Sequence, residues 1–256
     1  MGKKSKVSSY SANRSPSIER VHQLFGGHWD PLDGKGQAFV GPSSSHGTQG
    51  YVKEVKPRSD GQKKLMEAID KHNLVFAIGP AGTGKTYLAV TAAVEAFLDG
   101  KVERIILSRP AVEAGEKIGF LPGDLQDKMA PYLRPLYDAL QDRMGLKRLK
   151  QCIDSGEIEI APIGYMRGRT LNKAFVVIDE AQNCTYAQIK MIVSRLGWGS
   201  TMVITGDPDQ SDLLEGISGL RDMSKKLSSV DGIGVEYLTQ TDIVRHPLVA
   251  KMLEVI

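Results

Sequence analysis

Apolar residues are sparse and aperiodic over residues 1–58 of this chain. The stretch is rich in Ser, Gly and Lys/Arg and contains the run Gly41-Pro42-Ser43-Ser44-Ser45. Such a segment buries too little surface to offset the entropy of ordering it. It reads as a largely disordered basic N-terminal arm, in which Ile18 to Phe25 can turn helical on a partner. A solvated tail and an arm that binds nucleic acid or a partner both fit that composition. From Ser59 onward the pattern changes. Ser59 or Asp60 can cap a helix running to His72, with Leu65, Met66 and Ile69 on its apolar face. Leu74-Val75-Phe76-Ala77-Ile78 is then an unbroken apolar run of strand length, as a strand covered on both faces reads. After a Gly-rich stretch, helical spacing runs from Lys85 to Asp99 and closes at Gly100.

Strand-type segments recur at Arg104 to Ser108, Glu157 to Ala161, Phe175 to Asp179, Thr201 to Thr205 and Val235 to Leu238. Helical patterns separate most of them, at Leu125 to Arg143, Leu146 to Ile153, Tyr186 to Leu196 and Gly216 to Leu227. Strands alternating with helices predict βαβ units, hence one α/β domain over residues 59–256 built on a mainly parallel sheet.

Composition narrows this only a little. Lys+Arg 33 against Asp+Glu 30 in 256 residues is mildly basic, short of the footprint of a dedicated nucleic-acid binder. Cys152 and Cys184 lie far apart and read as reduced thiols, and the histidines show no zinc-ligand spacing. No apolar run approaches the roughly 20 residues that span a bilayer. Lys3, Lys4 and Lys6 lead into serines rather than an apolar core, and Lys6 stands where a myristoylation signal needs Ser or Thr. The expectation is a cytoplasmic protein with no membrane partner.

The Gly-rich stretch carries the chemistry. Gly79-Pro80-Ala81-Gly82-Thr83-Gly84-Lys85-Thr86 fits G-x-x-x-x-G-K-[ST] and sits between a buried strand and a helix. Glycines let successive N–H groups converge on phosphates, and the helix aims its positive end at the same anion. Lys85 is expected to neutralise the β- and γ-phosphates of ATP, and the Thr86 hydroxyl to ligate Mg²⁺. Phe175-Val176-Val177-Ile178 then delivers Asp179 and Glu180 to a strand end, where ligands of such sheets gather. Asp179 is expected to hold Mg²⁺ through a water and Glu180 to act as general base. Thr201 to Thr205 leads into Asp207 and Gln210, polar groups able to sense the γ-phosphate, and by analogy this strand belongs between the other two. Adenine is favoured over guanine, because Asn172-Lys173-Ala174 runs into Phe175 instead of the Asp a guanine reader needs. Gln62 is the candidate for the adenine edge.

Several motifs together resemble the PhoH-like family of ATPases. They are Gly79 to Thr86, Arg109 to Gly115, Ile118 to Gly123, Tyr132 to Tyr137, Tyr165 to Thr170, Asp179-Glu180-Ala181-Gln182 and Gly206-Asp207-x-x-Gln210. The resemblance runs from about Ser59 to Arg245. It implies a single RecA-like P-loop NTPase domain related to superfamily-1 helicase motors, with roles in RNA metabolism and phosphate starvation. It also implies that Gln62 reads adenine and that Gln210 couples the γ-phosphate to motion. The arm has no G-x-x-G clamp flanked by an apolar pattern, as relatives with an RNA-binding module carry, and the spread acidic residues of a metal nuclease are missing, so direct nuclease activity is not expected.

About fifty residues follow the Gln210 motif, too few for a second α/β half. An arginine at the transition state is worth ~10³–10⁵ in phosphoryl transfer. A neighbouring subunit is the economical source, which predicts a homo-oligomer such as a hexameric ring. Arg245 is the first candidate finger, followed by Arg134 and Arg169. Arg109 opens a loop that in helicase-like motors touches a nucleic-acid backbone, and Arg167 and Arg169 flank Gly168 in a second loop; RNA contact and interface salt bridges are both open to them. The leading expectation is an Mg-dependent ATPase coupled to RNA or single-stranded nucleic acid. The alternative is a nucleotide-dependent scaffold or regulatory switch acting on a protein.

Overall fold

The computed structural model describes residues 54–110, 125–214, 216–244 and 252, with backbone alone for 125–131. The expected helix within Ile18 to Phe25, almost all of the arm, the motif from Ala111 to Gly123, and Arg245 lie outside the described residues. Of the segment assigned to the arm, Val55 packs against the core.

The chain runs α1 (Asp60–Lys71), β1 (Leu74–Ile78), α2 (Lys85–Leu98), β2 (Arg104–Arg109), α3 (Leu125–Met144), α4 (Leu146–Asp154), β3 (Ile158–Pro162), β4 (Ala174–Ile178), α5 (Tyr186–Val193), β5 (Thr201–Gly206), α6 (Leu220–Leu227) and β6 (Ile233–Tyr237). All six strands are parallel, in the order β3-β2-β4-β5-β1-β6. The strand of Thr201 to Thr205 therefore lies between the Gly-rich-loop strand and the Asp179 strand, as expected.

Period-2 alternation sends strand residues to two cores. Val75, Ala77, Ile105, Leu107, Val177 and Val203 face α1 to α4, where Leu133, Leu136, Tyr137 and Leu140 of α3 recur at helical spacing. Phe76, Ile78, Ile106, Val176 and Ile204 face the other layer, filled by Ile189 and Ile192 of α5 and Leu220 and Met223 of α6. Burial on both faces explains the unbroken apolar runs.

Two helices are shorter than their patterns predict, for tertiary reasons. α5 stops at Val193 because Leu196 turns away to bridge Leu171. α6 starts at Leu220 rather than Gly216 because Ser218 bridges Thr185 and the Gly219 N–H donates to the Cys184 carbonyl at 2.9 Å. α1 is capped by the Ser59 hydroxyl, which accepts from the Gln62 N–H at 3.2 Å. No helix among the described residues is long and apolar enough to cross a membrane.

Candidate active site

β1 ends directly in the Gly-rich loop. The Gly79 N–H donates to the Gly206 carbonyl at 3.2 Å, and its φ of +151° is one that side chains disfavour. An added Cβ at Gly79 would collide with the Leu238 carbonyl, so only glycine lets the loop leave the sheet beside β6. The buried Thr83 hydroxyl staples the loop by donating to the Pro80 carbonyl at 2.8 Å. α2 then begins at Lys85 with no side-chain cap, leaving its first N–H groups to an anion. Lys85 is buried, and its Nζ donates to the carbonyls of Gly79 at 2.6 Å and Pro80 at 2.8 Å. Burial pulls its pKa below the ordinary 10.5, while the carboxylates of Asp207, Glu180 and Asp179 oppose that shift.

Three elements converge on Asp179. Its N–H continues the sheet by donating to Ser108 of β2 at 2.8 Å. Its buried Oδ1 accepts from the hydroxyls of Thr86, at the start of α2, at 2.6 Å and of Thr205, on β5, at 2.7 Å. A hydroxyl and a carboxylate oxygen this close, at a helix N-terminus, form the kind of hard oxygen donor set that suits Mg²⁺. Glu180 follows in the left-handed region, φ 54° and ψ 41°, a conformation non-glycine residues seldom hold without support from their surroundings. The support comes from two sides. Buried Gln182 donates through Nε2 to Glu180 Oε2, while its Oε1 accepts from the Asp207 N–H at 3.1 Å. Gly206 permits this, since a Cβ there would meet Gln182 Oε1 at 2.8 Å. On the other side stands Arg109, with Nη2 3.4 Å from Glu180 Oε1 and Nη1 3.9 Å from Asp179 Oδ2. Arg109 Nη1 also donates to the Tyr132 carbonyl at 3.0 Å, which anchors the guanidinium on α3. Gly82, Lys85, Thr86, Asp179, Glu180 and Gln210 all line one cavity of about 290 Å³ at the carboxyl edge of the sheet.

Residues 54–256 match the family model described as PhoH-like protein. The chain belongs to the PhoH-like protein family. It is 56% identical over 203 residues to the PhoH-like protein of Bacillus subtilis (strain 168), covering 79% of this chain and 64% of that one. It is 43% identical over 202 residues to Protein PhoH of Escherichia coli (strain K12), covering 78% of this chain and 57% of that one. The chain thus spans about three fifths of the length of the curated relatives it matches. Among solved structures, the large terminase from a thermophilic bacteriophage aligns with a TM-score of 0.50 at 13% identity, over 78% of this chain and 50% of that one. That likeness shows the fold. This PhoH-like chain is a single α/β domain with a P-loop NTPase architecture.

The other residues singled out in the sequence divide. Gln62 is buried beside the loop, its Nε2 donating to the Thr83 carbonyl at 3.0 Å and its Oε1 accepting from the Arg58 N–H at 2.8 Å. Gln210 is exposed at the cavity rim, its N–H donating to the Asp207 carbonyl at 3.0 Å. Arg167 and Arg169 are not brought together. Arg167 is exposed, whereas Arg169 turns onto Glu159 in a two-armed pair at 2.6 and 2.7 Å. That pair also raises the Arg169 pKa. Arg134 pairs at 3.2 Å with Asp138, one helical turn away. Arg245 lies outside the described residues; the N–H of its predecessor Val244 donates to the Gly82 carbonyl at 3.0 Å. Sequence reading left Gln182 and Thr205 unassigned. Gln182 stood inside the quoted Asp179-Glu180-Ala181-Gln182 motif, but nothing in one sequence shows that its amide spans the ends of β4 and β5.

Proposed function

We propose that this domain is an Mg-dependent ATP hydrolase that couples turnover to RNA or another single-stranded nucleic acid. The observation that carries the reading is the meeting of Lys85, the Thr86–Asp179 pair and Glu180 in one cavity. In this reading the loop N–H groups and Lys85 hold the phosphates, and Gln62 stiffens the loop next to the adenine. Thr86 and Asp179 hold Mg²⁺, which when bound neutralises charge on the β- and γ-phosphate oxygens. Glu180 takes the proton of the attacking water, held in place by Gln182 and Arg109. Gln210, at the rim, faces the terminal phosphate.

Nucleic-acid coupling draws support from exposed Arg167 beside Gly168 and from the placement of Gln210 at the surface. The exposed Leu214 and Ile217, 79% and 42% accessible, favour the second reading, a nucleotide-driven switch on a protein partner. A homo-oligomer with an arginine supplied in trans belongs to the main reading; Arg245 or Arg134 would be that arginine. ATP turnover by the purified chain, measured with and without single-stranded RNA and over a range of protein concentrations, tests these parts together. Stimulation by RNA and specific activity that rises with protein concentration are expected. Turnover indifferent to RNA favours the switch, and concentration-independent turnover removes the trans arginine.

A further inference from the structure

A second and larger cavity, about 590 Å³, opens at the same sheet edge on the side of α6 and β6. It shares Asp207 and Gln210 with the phosphate-loop cavity, so Gln210 stands as the wall between them. Apart from Gly79, Pro80, Asp207 and Gln210, none of its lining residues figures in the hydrolytic chemistry described above.

Its lining has a distinct chemistry. Arg221 and Lys225 sit one helical turn apart on α6 and enter from one side. Tyr237, the last residue of the edge strand β6, enters from another with 57% of its surface accessible. Its two carboxylates, Asp207 and Asp209, formally balance Arg221 and Lys225, but the four are not equally free to meet a ligand. Asp207 is buried and faces Lys85, and Asp209 pairs with Arg221 at 2.5 Å. Both members of that pair are more than half exposed, so it is weak and exchangeable for another anion. Lys225 is exposed and enters no ion pair among the described residues.

We infer that this groove seats one strand of a polynucleotide, a base stacking on Tyr237 and the backbone phosphates meeting Lys225 and Arg221. Unpaired bases expose the ring face that an aromatic platform needs, whereas a duplex hides it. Cations beside an exposed aromatic are the composition of a single-strand groove. A strand lying there touches Gln210, whose other side faces the phosphate-loop cavity. That shared wall gives strand binding a direct route to the hydrolytic site. The inference rests on the nucleic-acid-coupled reading above and gives it a location.

The test is anisotropy of fluorescein-labelled 12-mers of oligo(U) and oligo(dT) with the full chain, alongside binding of a fluorescent ATP analogue. Tyr237→Ala is expected to weaken both oligonucleotides about 5- to 100-fold, and Tyr237→Phe to keep the affinity. Lys225→Glu is expected to weaken binding and to reduce the salt slope by about one. ATP affinity stays unchanged in all three. A stronger loss for one sugar type identifies RNA or DNA as the strand seated there. Oligonucleotides that bind the wild type and these variants equally overturn the groove while leaving the coupled reading intact. Loss of ATP affinity in Tyr237→Ala assigns the groove to the nucleotide base and overturns it too. A wild type that binds neither oligonucleotide overturns the coupled reading itself and leaves the groove to a protein partner.

Discussion

Arg109 offers the sharpest test of how the site is held. Replacing it with Ala removes the cation beside both carboxylates and the bond to the Tyr132 carbonyl. At 3.4 Å and an effective dielectric of about 20, the attraction to Glu180 is about 5 kcal/mol before desolvation. Most of that is offset, because the guanidinium is only 21% exposed while Glu180 is 36% exposed and screened. Hydrogen bonds to charged groups retain about 1.5–3 kcal/mol. Contacts of 3.4 and 3.9 Å are longer than the ~2.7–2.9 Å of a tight charged bond, which points to the lower end, about 1.5 kcal/mol. For a domain of about 200 residues that lowers Tm by about 3–6 °C. Catalysis should suffer more. A base displaced by about 1 Å costs about 100-fold in rate, so kcat should fall ~10–100-fold while KM for ATP moves little. Arg109→Lys keeps the charge without the two-armed reach, so it should restore stability more fully than kcat. Thermal melts and steady-state kinetics on the same preparations measure both. Wild-type kcat in Arg109→Ala, or a loss confined to ATP affinity, would refute the positioning role.

Two further outcomes follow from titrating groups. Asp242 accepts from the N–H groups of Thr239 and Gly61, and these bonds, with one from Ser59, hold its carboxyl below the usual range. A depressed acid stabilises the fold above its unfolded pKa of ~3.9 and loses that contribution as pH falls through the lower folded value. The stability gap between wild type and Asp242→Asn in urea melts should therefore be about 1–2 kcal/mol at neutral pH and narrow as pH falls below the unfolded carboxyl value of ~3.9. Lys85 starts below 10.5 through burial, and bound phosphates would raise it, so ATP affinity should fall at alkaline pH and binding there should take up a proton. Calorimetry in two buffers of different ionisation enthalpy, run over a series of alkaline pH values up to the ordinary lysine range, should give binding enthalpies that diverge; agreement throughout would exclude the linkage.

What could be read from sequence was what is encoded locally. Leu74 to Ile78 and Phe175 to Ile178 announce strands because burial on both faces leaves no polar position to interrupt them. Gly79 to Thr86 is legible because loop, lysine and hydroxyl are contiguous. The strand order came out correctly by analogy with enzymes carrying the same acidic pair. Contacts between distant segments were not legible. Arg109 looked like a surface cation at a loop mouth, yet the pairing of β2 with β4 lays Ser108 beside Ile178 and so brings the next side chain to Asp179 and Glu180. Arg169 looked equally free until β3 presented Glu159 to it. Gln182 carried no sign that its amide would join Glu180 to Asp207, since that bond depends on β4 and β5 being neighbours. Helix ends were misjudged where the chain turned aside for a bridge, at Leu196 and at Ser218.

The central claim is that this cavity hydrolyses ATP with Glu180 as base and the loop as binding element. Single-turnover hydrolysis of Mg-ATP by wild type and Glu180→Gln, with ATP affinity measured on both, tests it most directly. The account predicts ATP binding within about threefold of wild type and hydrolysis lowered about 10²–10⁴-fold, the range for losing a general base. Undiminished hydrolysis in Glu180→Gln, or a wild type that binds ATP and never turns it over, would contradict it.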